Sequence, residues 1–268
     1  MKRRSLLWLP SLLAAGILCA TLLPLVAQTP APAFRAPRTP DGQPNLMGIW
    51  QVMSSAHYDI EPHAASLGVP AGTGVIVDPT DGKIPYRPEA LAKRNENFRN
   101  RAKLDPHSRC YKPGTPHMTY LPFPLQIVQT PTQFTILSEY MHNSRHIYLT
   151  RKSHWPPDSV DLWNGDSVGR FDGEVFVTDV ANFNGQAWLD RAGNFHSDAL
   201  KVTERFRLID ADTIQYEATL EDAKTYTRPW TMRLLLYRHK EPRVRILEYE
   251  CHAYKDDALK EPTLPTVP

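Results

Sequence analysis

The residue types best suited to acid–base chemistry are concentrated between positions 163 and 208. His196 carries the imidazole that most often serves as a general base near neutral pH. Asp190 and Asp198 flank it in a loop that is long for a connection between short strands, and such loops often carry function. We therefore predict that His196 is a catalytic acid or base whose ring is oriented by Asp190 or Asp198.

Two residues of opposite charge, Arg145 and Glu204, are predicted to point into one interior. Glu204 alternates with Val202 and Phe206 on the apolar face of a strand, and Arg145 shares a face with Ile147. A charge buried alone is very costly, so each needs a partner or water. They form either a structural ion pair or the polar floor of a ligand cavity. In the second case Arg145 holds an anionic or carbonyl oxygen, and Glu204 is a second catalytic proton carrier.

Aromatic side chains on the same strands and loops could stack on a flat substrate. The candidates for substrate binding are Trp188, Phe195, Tyr140, Trp163 and Tyr216.

A metal site is an alternative that depends on scattered residues. His142, His146, His154 and Asp166 supply ligand types suited to zinc or a similar ion. The sequence contains neither H-E-x-x-H nor C-x-x-C, and isolated histidines are more often surface or hydrogen-bonded residues. We predict no cofactor, with a divalent metal at these four residues as the alternative.

The elements that would position these residues are mainly β. Short runs rich in β-branched and aromatic residues, separated by turn signals, predict strands at 46–52, 75–77, 126–129, 134–141, 145–149, 168–171, 174–180, 200–209, 213–221, 230–237 and 244–254. Asp172-Gly173 is the strongest hairpin signal. One surface helix is expected near 88–103, with Pro88 in its first turn. We expect an antiparallel up-and-down meander of about eight strands, closed into a barrel or half-barrel.

The N-terminus has the pattern of an export signal. Residues 1–27 combine Lys2, Arg3 and Arg4 with a long apolar run and a small-residue cleavage site at Ala27. We predict that this signal peptide is cleaved, that the mature protein is periplasmic or secreted, and that it is not stably inserted in a membrane. An uncleaved anchor is the alternative. A proline-rich linker follows at 28–44, then a single domain at 45–255 and a flexible tail at 256–268.

The charge of the remaining chain argues against a nucleic-acid partner. The first three basic residues of the chain account for three of its 31, so the rest balances its 29 acidic residues to within one charge. No basic surplus remains to release counterions from nucleic acid. The expected partner is a small molecule, and the sequence does not indicate an oligomeric state.

Two cysteines remain after the signal peptide, Cys110 and Cys251. In an oxidising compartment a single pair far apart in sequence most simply forms a disulfide. A catalytic thiol beside His252 is the alternative, but neighbours on a strand point to opposite faces. We predict the disulfide.

Long motifs extend through the chain: W-x-G-D-S-x-G-R-F-D-G-E, then F-N-G-Q-A-W-L-D-R-A-G-N-F-H-S-D-A-L-x-V-x-E-R, then Y-T-R-P-W. In these motifs the sequence resembles a widespread family of exported bacterial hypothetical proteins, which implies export but no particular activity. Gly48-Ile49-Trp50 also resembles the first-strand G-x-W of lipocalin-type barrels, which implies a ligand-binding barrel.

These observations predict an exported small-molecule-binding β-barrel. We expect an enzyme that performs acid–base chemistry, as a lyase, isomerase or hydrolase, on a small aromatic or apolar substrate with a polar group. A non-catalytic periplasmic carrier is one alternative, and a metal-dependent enzyme that uses the histidines is another.

Overall fold

The computed structural model describes residues 34–157 and 159–252. The predicted signal peptide, the first part of the linker and the predicted tail at 256–268 lie outside these ranges. In the described part, none of the helices has the length and apolar character needed to cross a membrane.

The described chain is mainly β, with ten strands and two short α-helices. The strands are β1 (Gly48–Val52), β2 (Ile76–Asp78), β3 (Leu125–Gln129), β4 (Gln133–Ser138), β5 (Ser144–Tyr148), β6 (Asp166–Asp172), β7 (Val175–Ala181), β8 (Lys201–Leu208), β9 (Thr213–Glu221) and β10 (Trp230–Arg238). The helices are α1 (Pro88–Arg99) and α2 (Arg101–Leu104), at the position of the predicted surface helix. Two 3₁₀ turns, Pro106–Arg109 and His117–Thr119, follow them.

Nine strands close into a ring in the order β1-β3-β4-β5-β6-β7-β8-β9-β10, because β1 pairs with both β3 and β10. β2 pairs with β10 beside β1. The prediction of a mainly β barrel is thus confirmed, with nine strands in the ring instead of about eight. Among the described strands, closure leaves no long unpaired edge, which is how antiparallel sheets of this size avoid edge-to-edge association.

The expected antiparallel meander is interrupted once, between β5 and β6. These two strands are parallel, and they pair only at Ile147↔Ser167 and Tyr148↔Val168. Parallel neighbours need a crossover connection of about a dozen residues or more, and residues 149–165 supply it. The sequence signals marked strands but not their directions.

The prediction of a strand at 244–254 is wrong: residues 244–252, the part of this range that the structure describes, form no strand. One edge of β10 pairs with β9, and β1 and β2 occupy the other, so no edge of β10 is left for a following strand. Instead, Tyr249 forms an isolated bridge with Tyr140, and Cys251 is bonded to Cys110. The predicted disulfide is confirmed, and it is compatible with an exported protein.

The described part of the predicted linker packs against the barrel. Ala36 is buried, and its amide donates to Glu174. Arg38 pairs with the same carboxylate and forms a bridge with Pro44. These contacts hold residues 36–44 of the segment against the barrel.

Aromatic rings fill much of the barrel interior. The rings of Phe134 and Phe176 stack with centroids 3.9 Å apart, and Phe206 contacts the ring of Tyr216 at 4.9 Å. Burial of each such side chain contributes about 1.5–3 kcal/mol. On β8 the residues alternate between buried and exposed, as the period-2 pattern predicted.

The G-x-W segment joins the first and last strands of the ring. Trp50 is fully buried and donates from Nε1 to the carbonyl of Leu46 at 3.0 Å. The guanidinium of Arg238 lies 4.1 Å from the centroid of the Trp50 ring and donates to the carbonyl of Met47. Gly48 has φ of +147°, a backbone conformation that favours glycine.

Candidate functional site

The predicted pair Arg145 and Glu204 meets inside the barrel. Arg145 Nη2 donates to Glu204 Oε2, and both side chains are almost completely buried. Arg145 Nε donates to Ser167 Oγ at 3.0 Å, and Tyr216 OH donates to Glu204 Oε1 at 2.7 Å. This network joins β5, β6, β8 and β9. Arg145 Nη1 has no hydrogen-bond partner among the described residues.

A smaller cleft of about 310 Å³ lies beside the short parallel pairing of β5 and β6. Arg145 and the predicted substrate-binding residue Trp163 both line it, together with Trp155 and Tyr148. Just before β5 and β6 begin, a side-chain hydrogen bond links the two segments: Asn164 Nδ2 donates to Asn143 Oδ1 at 2.9 Å. Two residues predicted for substrate binding or catalysis are therefore brought to one cleft.

His196 does not have the surroundings that the sequence predicted. It is buried, its Nδ1 lies 2.8 Å from the carbonyl of Ser197, and its ring packs edge-on against Phe183. Burial lowers the pKa of His196, partly opposed by the hydrogen bond to Ser197. Its Nε2 has no partner in the described ranges.

Neither predicted aspartate contacts the His196 ring. Asp190 is buried and accepts hydrogen bonds from the amides of Ile60, Ala192 and Asn194 and from the side chain of Asn194. Burial raises the pKa of Asp190 to about 8. Asp198 is exposed and pairs with Lys224. Both carboxylates are already engaged elsewhere, so the orienting pair expected for His196 is not formed.

The predicted aromatic residues are distributed over several places. Phe195 forms an isolated bridge with Trp188, and its ring stacks on Tyr86 at 5.9 Å. Tyr140 stacks on His107, while Tyr216 belongs to the buried network around Glu204. These residues do not form one aromatic wall, and their substrate-binding role stays a prediction.

The histidines considered as metal ligands have separate partners. His142 pairs with Glu250, His146 contacts Gln133, and His154 Nδ1 lies 3.2 Å from Asp166 Oδ2. Among residues 34–157 and 159–252, no group of three or more His, Cys, Asp or Glu side chains is arranged to hold a metal ion.

A larger cleft of about 890 Å³ lies among loops and the helical segment. Its polar lining includes Asp59, Asp105 and Arg191, and Phe98 and Leu67 are large exposed apolar residues in its wall. The full lining is Tyr58, Asp59, His63, Ala64, Ala65, Ser66, Leu67, Gly68, Val69, Phe98, Arg99, Arg101, Ala102, Asp105, Ser108, Arg191 and Ala192. An apolar cleft with a few charged groups is typical of a small-molecule site.

Three histidines, which we call the histidine cluster, lie next to lining residues in the chain or contact one another, although none of them lines the cleft. His57 precedes the lining residue Tyr58, and its carbonyl accepts from the amide of Arg191 at 3.0 Å. His107 lies between Asp105 and Ser108 in the first 3₁₀ turn. The third member is His117: its Nε2 lies 2.9 Å from His57 Nδ1, and its Nδ1 lies 2.9 Å from the carbonyl of Trp188.

All members of the cluster are held neutral by their surroundings. Burial lowers the pKa of His57 to about 3 and that of His107 to about 4, and the positive charge of Arg191 contributes to both shifts. Burial lowers the pKa of His117 well below its usual range, and the two neighbouring histidines lower it further. His107 stacks on Tyr140 with parallel rings 4.5 Å apart, and its buried Nδ1 has no partner in the described chain.

Sequence reasoning missed the histidine cluster. Its members come from a loop and from two separate short 3₁₀ turns, so no helix or strand period links them. The available signal was weaker: His107 and His117 lie in the proline-containing segment 104–125, which resists regular structure, and functional residues are common in such loops.

Protein-family models and curated proteins give no match to the chain. Among solved structures, the chain is similar to the crystal structure of a mutant of the fluorescent protein UnaG. The two are 12% identical, the TM-score is 0.32, and the similarity covers 73% of this chain and 97% of that chain. At this TM-score the similarity carries no argument about function. The functional argument therefore rests on the geometry of the clefts and the histidine cluster.

Proposed function

We propose that this protein is an exported small-molecule-binding β-barrel whose ligand occupies the larger cleft. The observation that carries the proposal is the combination of an apolar cleft of about 890 Å³ with charged groups at its wall and the histidine cluster next to its lining residues in the chain. The ring-filled barrel interior is a less suitable ligand site, because stacked Phe134 and Phe176 occupy it.

The lining favours a ligand with an apolar or aromatic body and one anionic group. Leu67 and Phe98 offer apolar surface, and Phe98 already carries Arg101 over its ring at 4.3 Å. Arg191 is exposed, and its Nε lies 3.4 Å from Asp105, a long contact that leaves the guanidinium able to bind an incoming oxygen. Arginine suits carboxylates because its planar fork can donate two parallel hydrogen bonds.

We further propose that the protein is an enzyme that performs acid–base chemistry on this ligand. Neutral imidazoles beside a cationic guanidinium can accept a proton while the arginine stabilises the negative charge that develops. A lyase, isomerase or hydrolase would each use these parts. A non-catalytic carrier is the rival, in which the same groups only orient the ligand.

Thermal-shift screening with aromatic carboxylic acids, lactones and sugars tests the binding proposal. We expect aromatic acids to raise the melting temperature, because a ligand at 100 times its Kd stabilises the folded state by about 2.7 kcal/mol. Arg191→Gln should abolish the shift. The matched control Arg205→Gln, on the exposed face of β8, should retain it.

Two outcomes would contradict the proposal: no compound class shifts the melting temperature, or Arg191→Gln responds as the wild type does. If an acid binds and mass spectrometry finds it chemically unchanged after long incubation, in buffer made with D₂O, the carrier is favoured over the enzyme.

A further inference from the structure

The smaller cleft lies along a stretch of the barrel wall where two neighbouring strands are not paired. β5 and β6 pair at Ile147↔Ser167 and Tyr148↔Val168. Residues 144–146 of β5 and residues 164–166 on the facing side are not paired with each other, and residues from both stretches line the cleft. The cleft is therefore located at a gap in the strand pairing.

Arg145 places its guanidinium at this gap. The residue lines the cleft, and its Nε donates at 3.0 Å to the hydroxyl of Ser167, which lines the cleft as well. Its Nη2 donates to Glu204. Arg145 is 2% exposed, and its Nη1 has no hydrogen-bond partner in the part of the chain that the structure describes. Because a buried donor without an acceptor is unfavourable, Nη1 is suited to an acceptor that enters from the cleft.

Two tryptophans in fixed positions form an aromatic wall of the cleft. Trp155 and Trp163 both line it, and Trp155 is 54% exposed. The backbone of Trp155 is held at both ends, because its amide donates to Asp166 at 3.0 Å and its carbonyl accepts from Asn182 at 3.0 Å. The ring of Trp163 stacks on Tyr111 with centroids 5.1 Å apart. Large rings held in this way are suited to stacking on a flat molecule.

The charges around the smaller cleft favour a neutral ligand. The two buried charges of the lining are each paired, Arg145 with Glu204 and Asp166 with Arg151. A carboxylate in the cleft would add a negative charge close to Glu204, whereas a carbonyl oxygen accepts from Arg145 Nη1 without changing the charge. The other two charged residues of the lining are opposite in sign and exposed: Lys112 and Asp161.

We infer that the smaller cleft is a second ligand site, which binds a flat, neutral molecule through a carbonyl oxygen that accepts from Arg145 Nη1 and a ring that packs against Trp155 and Trp163. Aromatic amides and lactones belong to this class. At about 310 Å³ the cleft is at the lower end of the usual range for ligand sites, so the ligand is small. The linings of the two clefts share no residue, so this site does not depend on the ligand proposed for the larger cleft.

Bicyclic probes that differ in charge test this inference. 2-Naphthamide and coumarin are neutral, and 2-naphthoate has the ring system of the amide but carries a carboxylate. Isothermal titration calorimetry on the full-length protein measures the Kd of each probe. We expect the neutral probes to bind, and Trp155→Ala should weaken their binding roughly tenfold, because it removes a stacking surface.

Arg145→Lys tests the hydrogen bond to the carbonyl oxygen. The lysine keeps a cation for Glu204 but has no second nitrogen for the cleft, so the neutral probes should bind about tenfold more weakly or worse. If this variant does not fold, Trp155→Ala decides the question, since it changes an exposed side chain. The matched control is Arg205→Gln, on the exposed face of β8, which should bind the probes as the wild type does.

The location of the bound probe is read from the tryptophan side chains. In protein labelled with ¹⁵N-tryptophan, 2-naphthamide should shift the indole signals of Trp155 and Trp163, assigned with Trp155→Phe and Trp163→Phe. The signal of Trp50, which is buried in the barrel core, should not move. Arg191→Gln should leave the binding of 2-naphthamide unchanged, because Arg191 does not line the smaller cleft.

Several results would overturn the inference: neither neutral probe binds, Arg191→Gln removes their binding while Trp155→Ala leaves it intact, or 2-naphthoate binds as tightly as the amide and depends equally on Trp155. If the neutral probes bind and 2-naphthoate does not, the preference of the smaller cleft for neutral molecules is supported. That same result counts against the anionic ligand proposed for the larger cleft, so the two proposals can fail separately.

Discussion

At the scale of single residues, burial without a countercharge distinguishes the histidine cluster. His57 and His117 are almost completely buried, and the charged group that acts on both is the cation of Arg191. A structural ion pair would instead have placed a carboxylate against the rings. The cluster is therefore a set of neutral donors and acceptors, in which His117 contacts both the Trp188 carbonyl and His57.

The first prediction at this scale concerns pH. The pKa of His57 is about 3 in the folded protein, below the ordinary value of 6.5 that applies when the chain is unfolded. As the pH falls below 6.5, the unfolded state therefore gains a proton that the folded state does not, and stability is lost until the folded pKa is reached. Compared with His57→Gln, the wild type should lose about 2 kcal/mol more unfolding free energy between pH 7 and pH 5.

Urea unfolding at the two pH values measures this difference. The control is Arg205→Gln, on the exposed face of β8, whose difference from wild type should stay flat over the same range. If the wild type and His57→Gln lose stability in parallel, His57 is not buried in the neutral form.

Individual residues were predictable from sequence where a strand period applied. Alternation on β8 placed Glu204 inside the barrel, and alternation on β5 did the same for Arg145; the two meet there. No such rule applied to His57 and His117, because the loops that hold them have no period. Their contact depends on the tertiary fold, which brings chain segments 60 positions apart to one place.

At the scale of elements, the Arg145–Glu204 network stabilises the weakest seam of the barrel. β5 and β6 share only two paired positions, whereas the other neighbours in the stretch β3 to β10 pair over at least five. Arg145 on β5 donates to Ser167 on β6 and to Glu204 on β8. Its side chain therefore links β5 to neighbouring strands where the backbone pairing of β5 with β6 is short.

We predict that Arg145→Met destabilises the barrel by about 3–5 kcal/mol, because it leaves the Glu204 charge buried without its partner. The double variant Arg145→Met with Glu204→Gln should recover most of this loss, since the amide can still accept from Tyr216. Chemical denaturation of the two single variants and the double variant gives the coupling energy. Additive losses would show that the two side chains are not energetically coupled.

The elements themselves were predicted well where local signals were strong. The Asp172-Gly173 turn does join β6 to β7, and the short apolar run near Trp50 is β1. The parallel direction of β6 and the absence of a strand at 244–252 were not predictable, because both depend on which edges are free. Which strand edges are free is determined only by the tertiary pairing of β1 with both β3 and β10.

At the scale of the whole molecule, the disulfide connects the histidine cluster to the end of the described chain. Cys110 follows the 3₁₀ turn that carries His107 and has a left-handed backbone, with φ of 62°. Cys251 is 141 positions away, beyond the barrel. Tyr140 stacks on both His107 and Tyr249, so it links the C-terminal segment to one member of the cluster.

The last prediction follows from this connection. Replacing both cysteines by alanine should lower the unfolding free energy by roughly 4 kcal/mol, since the bond closes a very long loop in the unfolded chain. Because the bond also holds the turn that carries His107, the loss should be accompanied by weaker binding in the larger cleft. Urea unfolding and the thermal-shift response measure the two effects on the same variant. The barrel ring itself does not contain the disulfide, so far-ultraviolet circular dichroism should show the β structure retained. A variant that keeps wild-type stability and binding would show that neither depends on this bond, and a variant that loses its β structure would show that the barrel does not close without it.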